Sequence, residues 1–154
     1  MNIHSIKNIK RISSNYKSKG LKIVFTNGCF DLLHKGHLDL LEKSSKYGDI
    51  LIVGLNSDAS VKKLKGVSRP VEDEMIRFQK LMALNYVDHV IIFRQLTPKK
   101  LISKLKPDIL VKGGDYELNK IVGADEVVLN GGIVKVIPLT PGFSTTSIIK
   151  KRSI

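Results

Sequence analysis

The sequence predicts an α/β domain of the doubly wound kind, a mostly parallel sheet flanked by helices. Two observations carry this. Short apolar runs alternate along the chain with segments of helical period, and one run, Ile50–Leu55, is apolar almost throughout, as a strand buried on both faces must be. Alternation at this spacing selects a sheet with helices on both sides. A third observation concerns the turns. Glycine-rich and polar turns follow the carboxyl ends of the runs, where such sheets bind ligands.

Taken in order, Ile3, Ile6, Ile9 and Ile12 recur every third residue ahead of Tyr16, which predicts an N-terminal helix ending before Lys19-Gly20. Leu21–Phe25 is a strand. His37–Lys46 is a helix with Leu38, Leu40 and Leu41 inward, closed by Gly48-Asp49. Ile50–Leu55 is the second strand, and a basic stretch follows, read as a loop around Lys62, Lys63 and Lys65. Asp73–Leu84 is helical, with Phe78, Leu81 and Met82 available to the core. His89–Phe93 is a strand and Pro98–Leu105 a helix, with Thr97 as N-cap ahead of a proline at the first helical position. Ile109–Val111 is a strand, Gly123–Asn130 a short helix, and Ile133–Ile137 a strand after the Gly131-Gly132 turn. A last helix starts after Ser144 and runs to about Lys151.

Length and composition narrow the class. The 154 residues are read as one domain over 1–154, with 1–20 as an N-terminal helical extension. The single cysteine excludes an internal disulfide and fits a reducing compartment. No apolar run approaches the length of a membrane span, and Met1–Gly20 mixes isoleucines with lysines instead of forming a signal peptide's apolar stretch. A cytoplasmic protein with no membrane partner is expected. The net charge of +12 comes mostly from lysines spread from Lys7 to Lys151, with no tryptophan and few aromatics to stack on bases. That pattern favours a solvated cationic surface over a nucleic-acid footprint. It also steers anionic substrates towards a site.

The most telling segment runs from Thr26 to His37. A strand passes through a glycine turn into a helix, and two histidines flank Gly36. Helix N-termini present unpaired N–H groups to anions, and Gly28 and Gly36 let backbone approach a phosphate closely. His34 and His37 are three residues apart, so both imidazoles face one side of a first helical turn. This combination predicts a nucleotide-phosphate site. Cys29 has no thiol partner at metal-ligand spacing and no implied base, so it is read as a small, partly buried side chain.

Other constellations sit at the carboxyl ends of later strands. Asn56 and Asp58 can bond a ribose or phosphate, although Ser57 or Asp58 can equally cap a helix. Lys65, Arg69 and Arg77 are candidate phosphate ligands, with Arg77 also able to pair with Asp73 or Glu74 on its own helix. Lys112, Gly113, Gly114 and Asp115 suit a polyhydroxylated anionic substrate. Ser144, Thr145 and Thr146 are either an anion site or an ordinary cap.

These pieces resemble a family. Thr26–Asp31 followed by His34-Lys35-Gly36-His37 is similar to the HxGH signature of the cytidylyltransferase-like nucleotidyltransferases. The blocks Asn56–Ser60, Lys65-Gly66, Arg69–Val71, Lys112–Tyr116 and Gly142–Thr146 narrow the resemblance to the adenylyltransferases that make ADP-heptose from D-glycero-β-D-manno-heptose 1-phosphate, for lipopolysaccharide core. The resemblance covers roughly residues 20 to 151.

It implies a Rossmann-like nucleotidyltransferase fold and transfer of AMP from ATP to the sugar phosphate, with Mg²⁺ held through the nucleotide phosphates and not by a protein metal site. His34 and His37 would hold nucleotide phosphates, with Lys65, Arg69 and Arg77 beside them. Asn27, Gly28, Cys29, Phe30, Gly36, Asn56, Asp58, Ser144, Thr145 and Thr146 would line the nucleotide. Asp31 and Lys112 to Asp115 would lie near the sugar.

Two departures stand out, Arg94-Gln95-Leu96 where the family tends to be acidic and Phe143 where tyrosine is common. The sequence holds no kinase domain, so a separate heptose kinase is expected to supply the substrate. A homo-oligomer is compatible with the sequence. Two rivals stay open, a glycerol 3-phosphate cytidylyltransferase and a basic nucleotide- or RNA-binding module without turnover.

Overall fold

Strands β1 (Ile23–Gly28), β2 (Ile50–Asn56), β3 (His89–Phe93), β4 (Ile109–Gly113) and β5 (Ile133–Ile137) form a parallel five-stranded sheet in the order β3-β2-β1-β4-β5. This computed structural model describes residues 6–114, 120–139, 141–142, 144 and 148–149. The order reverses direction between β1 and β4, which makes their carboxyl ends the switch point.

Each strand feeds both faces, as the period of two demands. Ile23, Phe25, Ile52, Ile91 and Leu110 enter one apolar cluster, while Val24, Leu51, Val53, Val90 and Val111 enter the other. Helices α1 (Ile6–Ser18), α5 (Lys99–Leu105) and α6 (Ala124–Leu129) cover the first face. Helices α2 (Lys35–Ser45) and α4 (Glu74–Met82) cover the second through Leu41, Phe78 and Leu81. Gly54 on β2 has a packing reason: a Cβ there would sit 2.7 Å from the Phe25 ring.

The N-terminal helix is part of this core. Ile9 is fully buried, Ser13 Oγ donates to the Leu105 carbonyl at 2.6 Å, and Tyr16 Oη lies 2.5 Å from His89 Nε2. His89 is therefore a docking partner of α1, beyond the ordinary strand residue that its sequence context implies.

Two sequence expectations are revised. The basic stretch containing Lys62, Lys63 and Lys65 is the last turn of a helix, α3 (Asp58–Lys65), capped by Ser57 Oγ accepting from Ser60 N at 3.2 Å. Thr97 is no cap, because α5 begins at Lys99 behind Pro98 with no side-chain cap bond. Lysines in a final helical turn complement the helix dipole, which explains why a charge run here is ordered. The proposed last helix lies mostly outside the described residues, of which Ile148 and Ile149 are helical.

The two ends of the sheet differ. At the amino end, aspartates that precede three strands accept from backbone N–H groups of the neighbouring strand: Asp49 from Lys22 at 2.7 Å, Asp88 from Leu51 at 2.8 Å, and Asp108 from Ile23 at 2.9 Å. At the carboxyl end the sheet opens. The β1–β4 ladder registers Val24 with Ile109 and Phe25 with Leu110 and stops there, whereas β4 stays paired with β5 through Gly113 and Ile137. Beyond Phe25 the two central strands part. Among the described residues no helix is long and apolar enough to cross a membrane.

Candidate active site

The parting of β1 and β4 creates two adjoining cavities. One, of about 510 Å³, is bounded by Asn56 and Lys65 on one side and by the Leu96–Pro98 and Lys120–Val122 segments on the other. The other, of about 160 Å³, is bounded by Phe30, His37, Leu40, Gly113 and Leu139. Asn27, Gly28, Cys29, Lys65 and Lys112 line both. The larger volume is that of a small-molecule pocket. The 900 Å³ hollow over α6 and β5 has none of these groups, being lined largely by Val128, Leu129, Ile133 and Val134. The polar lining gathers at the switch point.

The turn from β1 into α2 is built on strained backbone. Phe30 and Leu32 adopt φ of 47° and 54°, a left-handed region that costs a side-chain-bearing residue about 1–3 kcal/mol. Both are held by burial, at 4% and 5% exposure. Asp31 lies between them, buried, and accepts from Val71 N at 2.7 Å and Glu72 N at 3.0 Å, with Arg69 Nη1 4.0 Å away. Asp31 thus anchors the loop that carries Arg69 and at the same time lines the smaller cavity. Arg69 sits beside that carboxylate and on neither cavity wall.

His34 caps α2. Its Nδ1 accepts from Gly36 N at 3.1 Å and His37 N at 3.4 Å, while His37 Nδ1 accepts from His34 N at 3.4 Å. The imidazole thus already occupies the Gly36 donor. With Nδ1 accepting in both rings, the neutral imidazoles carry their proton on Nε2, and each offers one N–H donor. The rings stack at 3.7 Å.

Burial, His34 and the Lys65 ammonium push His37 down to about 3, against a weaker upward pull from Asp31. Burial alone lowers His34. At neutral pH the pair is uncharged. His37 reaches the smaller cavity, and His34 orients it.

Arg77, expected on the phosphate side, has its donors engaged within the protein. Its guanidinium is fully buried and donates through Nε to Glu72 O at 2.9 Å, through Nη1 to Cys29 O at 2.8 Å and Asn56 O at 2.7 Å, and through Nη2 to Asp58 Oδ1 at 2.7 Å. One side chain ties together the loops after β1 and β2 and the segment before α4. Asp58 is correspondingly an ion-pair partner of Arg77. Neither Asp73 nor Glu74 holds Arg77: Asp73 caps α4, and Glu74 accepts from Asp58 N.

Asn56 lines the larger cavity, but its Nδ2 donates to Ser60 Oγ at 2.8 Å, and Ser60 Oγ donates to Gln95 O at 3.0 Å. This chain fixes the Leu96–Pro98 wall. That wall and Lys120–Val122 escape sequence reasoning, since Thr97 there reads as a helix cap.

Cys29 lies between the cavities with its thiol pushed up, chiefly by burial and less by Asp31, against the cations Lys65, Arg77 and Lys112. Burial lowers Lys112. Gly113 lines the smaller cavity, and Gly114, at φ 115°, donates to Ile137 O at 2.9 Å. Ser144 is exposed, and its carbonyl accepts from Ile148 N at 3.2 Å. Asp115, Thr145 and Thr146 lie outside the described residues.

A sheet that splits at its switch point beside a His-x-Gly-His turn defines a nucleotidyltransferase. The chain belongs to the cytidylyltransferase-like family, which it matches over residues 25–151. Among curated proteins it is 55% identical over 135 residues to the "Bifunctional protein HldE" of Geobacter metallireducens, covering 88% of this chain and 28% of that protein. The protein of the same name from Campylobacter jejuni subsp. doylei is 56% identical over 146 residues, covering 95% and 31%. The chain thus spans less than a third of the length of these relatives.

Among solved structures, a lipopolysaccharide core biosynthesis protein from Thermoplasma volcanium superposes with a TM-score of 0.62 at 31% identity, covering 79% of this chain and 98% of that one. Pantoate-β-alanine ligase from Francisella tularensis superposes with a TM-score of 0.66 at 19% identity, covering 99% and 77%, a likeness of fold alone.

Proposed function

We propose that this chain transfers AMP from ATP to D-glycero-β-D-manno-heptose 1-phosphate, giving ADP-heptose and pyrophosphate for lipopolysaccharide core. One observation carries the reading: two cavities meet at the open carboxyl ends of β1 and β4, room for two substrates side by side. The high identity to the HldE proteins and the likeness to a lipopolysaccharide core biosynthesis protein support the sugar assignment. The work is cytoplasmic, where ATP is plentiful, and a sugar kinase acts upstream to supply the 1-phosphate.

In this reading an oxygen of the sugar phosphate attacks the α-phosphorus in line. The bond from that phosphorus to the β-phosphate oxygen breaks, and pyrophosphate leaves with the electron pair. No covalent enzyme intermediate forms. His37 offers a neutral Nε2–H to the phosphates, and Lys65 and Lys112 supply positive charge from the walls. Such catalysis rests on positioning and charge neutralisation.

Among the described residues no three His, Cys, Asp or Glu side chains gather as a metal site. Mg²⁺ would enter as part of the ATP complex and would neutralise phosphate charge there. Asn27, Gly28 and Cys29 line the nucleotide's path, and the resemblance adds Ser144, Thr145 and Thr146 as nucleotide ligands.

The test is pyrophosphate release with Mg²⁺, comparing ATP with CTP, each offered with heptose 1-phosphate or glycerol 3-phosphate. Release only with ATP and the heptose phosphate is the expected result. Release with CTP and glycerol phosphate moves the chain to the sister activity, and no release with any pair leaves a binding module.

A further inference from the structure

We propose that the outer surface of α1 and α5 docks this protein onto an anionic lipid bilayer. This replaces the expectation, drawn from the sequence, of no membrane partner. Among the described residues no helix is long and apolar enough to cross a membrane, and the contact proposed is with headgroups at the surface.

Along the chain the lysines look evenly scattered, and the fold gathers them. Helices α1 and α5 pack on one another, joined by Ser13 Oγ donating to the carbonyl of Leu105, 92 residues away, and by Lys17 Nζ donating to the carbonyl of Lys106. Neither helix contains an Asp or Glu. Each of α2, α3, α4 and α6 contains at least one. Lys7, Lys10 and Arg11 on α1 and Lys99 and Lys100 on α5 are exposed, with Lys104 half-buried beside them. Among the described residues none of these six enters an ion pair, whereas Lys35–Asp39 and Lys80–Glu72 do so on α2 and α4, across the sheet. The acids on the helices of this layer are Asp125 and Glu126 of α6, and Glu126 accepts from Ser103 Oγ at 2.9 Å. Two packed helices thus present a fixed surface of one sign, which attracts an extended anion.

Three features favour a bilayer over a nucleic acid. Five of the six cations are lysines, which lack the planar fork that suits arginine to nucleic-acid recognition. Neither helix exposes an aromatic ring on which a base could stack, since Tyr16 is half-buried against His89 and α5 has no aromatic residue. Finally α6, on the same face of the sheet, exposes Val128 and Leu129 at 60% and 85%. Aliphatic groups beside cations suit the boundary between headgroups and acyl chains, and a nucleic acid has no use for them.

The cavities open at the carboxyl ends of β1 and β4, at the edge of this layer, so docking leaves them open to substrate. Under the function proposed above the product goes into lipopolysaccharide, and a docked enzyme makes it beside its lipid acceptor. That consequence rests on the proposed function; the docking itself does not.

The test is co-sedimentation of the full chain with phosphatidylcholine vesicles, either alone or containing about one third phosphatidylglycerol, run beside pyrophosphate release and thermal melting. The expected result is binding to the anionic vesicles, none to the neutral ones, and loss of binding as salt rises to about 0.5 M. At roughly fivefold per cation, K99Q/K100Q and K10Q/R11Q should each weaken vesicle binding at least ~10-fold, with pyrophosphate release within ~2-fold of the parent. K43Q/K46Q removes the same charge from exposed positions at the end of α2, across the sheet, and should change binding less than ~3-fold.

Absence of binding to the anionic vesicles overturns the inference. So does an equal loss in K43Q/K46Q, the mark of net charge acting without a particular face. Binding of a single-stranded RNA oligonucleotide that K99Q/K100Q abolishes, with vesicles left unbound, assigns the face to nucleic acid and overturns it too. Vesicle binding is read without turnover, so a parent that releases no pyrophosphate overturns the proposed function and leaves the docking face to its own result.

Discussion

Arg77 and Asp58 form an ion pair at 2.7 Å in which the arginine side chain is wholly shielded from solvent and the aspartate a third exposed. The same guanidinium holds the carbonyls of Cys29, Asn56 and Glu72. Loops from three parts of the chain therefore share one buried cation, and the cavity walls depend on it although it touches neither cavity.

Arg77→Met should destabilise the protein by about 3 kcal/mol, because it leaves buried carbonyls without a donor and an aspartate without its partner. Arg77→Lys should recover little, since an ammonium cannot reproduce the planar fork. Urea unfolding measures both. In whatever fraction folds, KM should rise for both substrates together, the sign of a displaced wall and not of one lost contact.

The histidine pair makes a pH prediction. His37 has a folded-state value near 3, below its ordinary 6.5, so the unfolded chain binds a proton there that the folded chain does not. The stability contributed by the neutral ring is full above pH 6.5 and is lost progressively as pH falls from 6.5 towards 3. His37→Asn should flatten the stability curve across that window in melting scans. The parent's kcat/KM should also show no acid limb from these rings near pH 6.5, because they act as neutral donors. A limb that disappears in His37→Asn would contradict the neutral assignment.

The two histidines should also separate by phenotype. His37→Ala should lower turnover by at least ~10²-fold with little change in melting temperature, by removing an oriented donor from the cavity. His34→Ala should lose activity and also about 1 kcal/mol of stability, because it removes the cap that satisfies Gly36 and His37 N–H. Parallel melting and pyrophosphate assays distinguish them.

Cys29 should alkylate slowly at pH 8, since burial raises its thiol and leaves little thiolate. Iodoacetamide labelling should be slower than for a free thiol, and slower still in Lys112→Met, which removes one of the cations that favour thiolate. Bound nucleotide should protect Cys29, which lines both cavities.

The N-terminal helix offers a last test. Ile9→Ala should cost about 3 kcal/mol, the loss expected for a fully buried core side chain. A loss under ~1 kcal/mol by urea unfolding would mean that α1 is peripheral to the core.

Much of this protein is legible locally. Strands β3 and β5 match the sequence expectation in both bounds, and α2, α4 and α6 differ by a residue or two, because apolar periodicity and capping residues act over one or two turns. The His34–His37 turn is equally local, since its residue types and spacing already specify a capped helix start after a strand. The sequence by itself thus determined most of the elements, α3 being read as a loop, and the position of the His34–His37 turn.

What only the tertiary structure decided is which polar groups stay available to a ligand. Arg77 looks like a ligand in a linear reading, yet its buried guanidinium meets a partner 48 residues away, at Cys29, and holds backbone, while Asp31 holds Val71 backbone 40 residues away and also lines the smaller cavity. Lys112 looks like one lysine among many until β4 leaves β1 and places it at the junction of the cavities. The reason is physical: a buried charge takes whatever hydrogen-bond partner the fold brings within 3 Å, and strand order, not residue spacing, settles which partner that is.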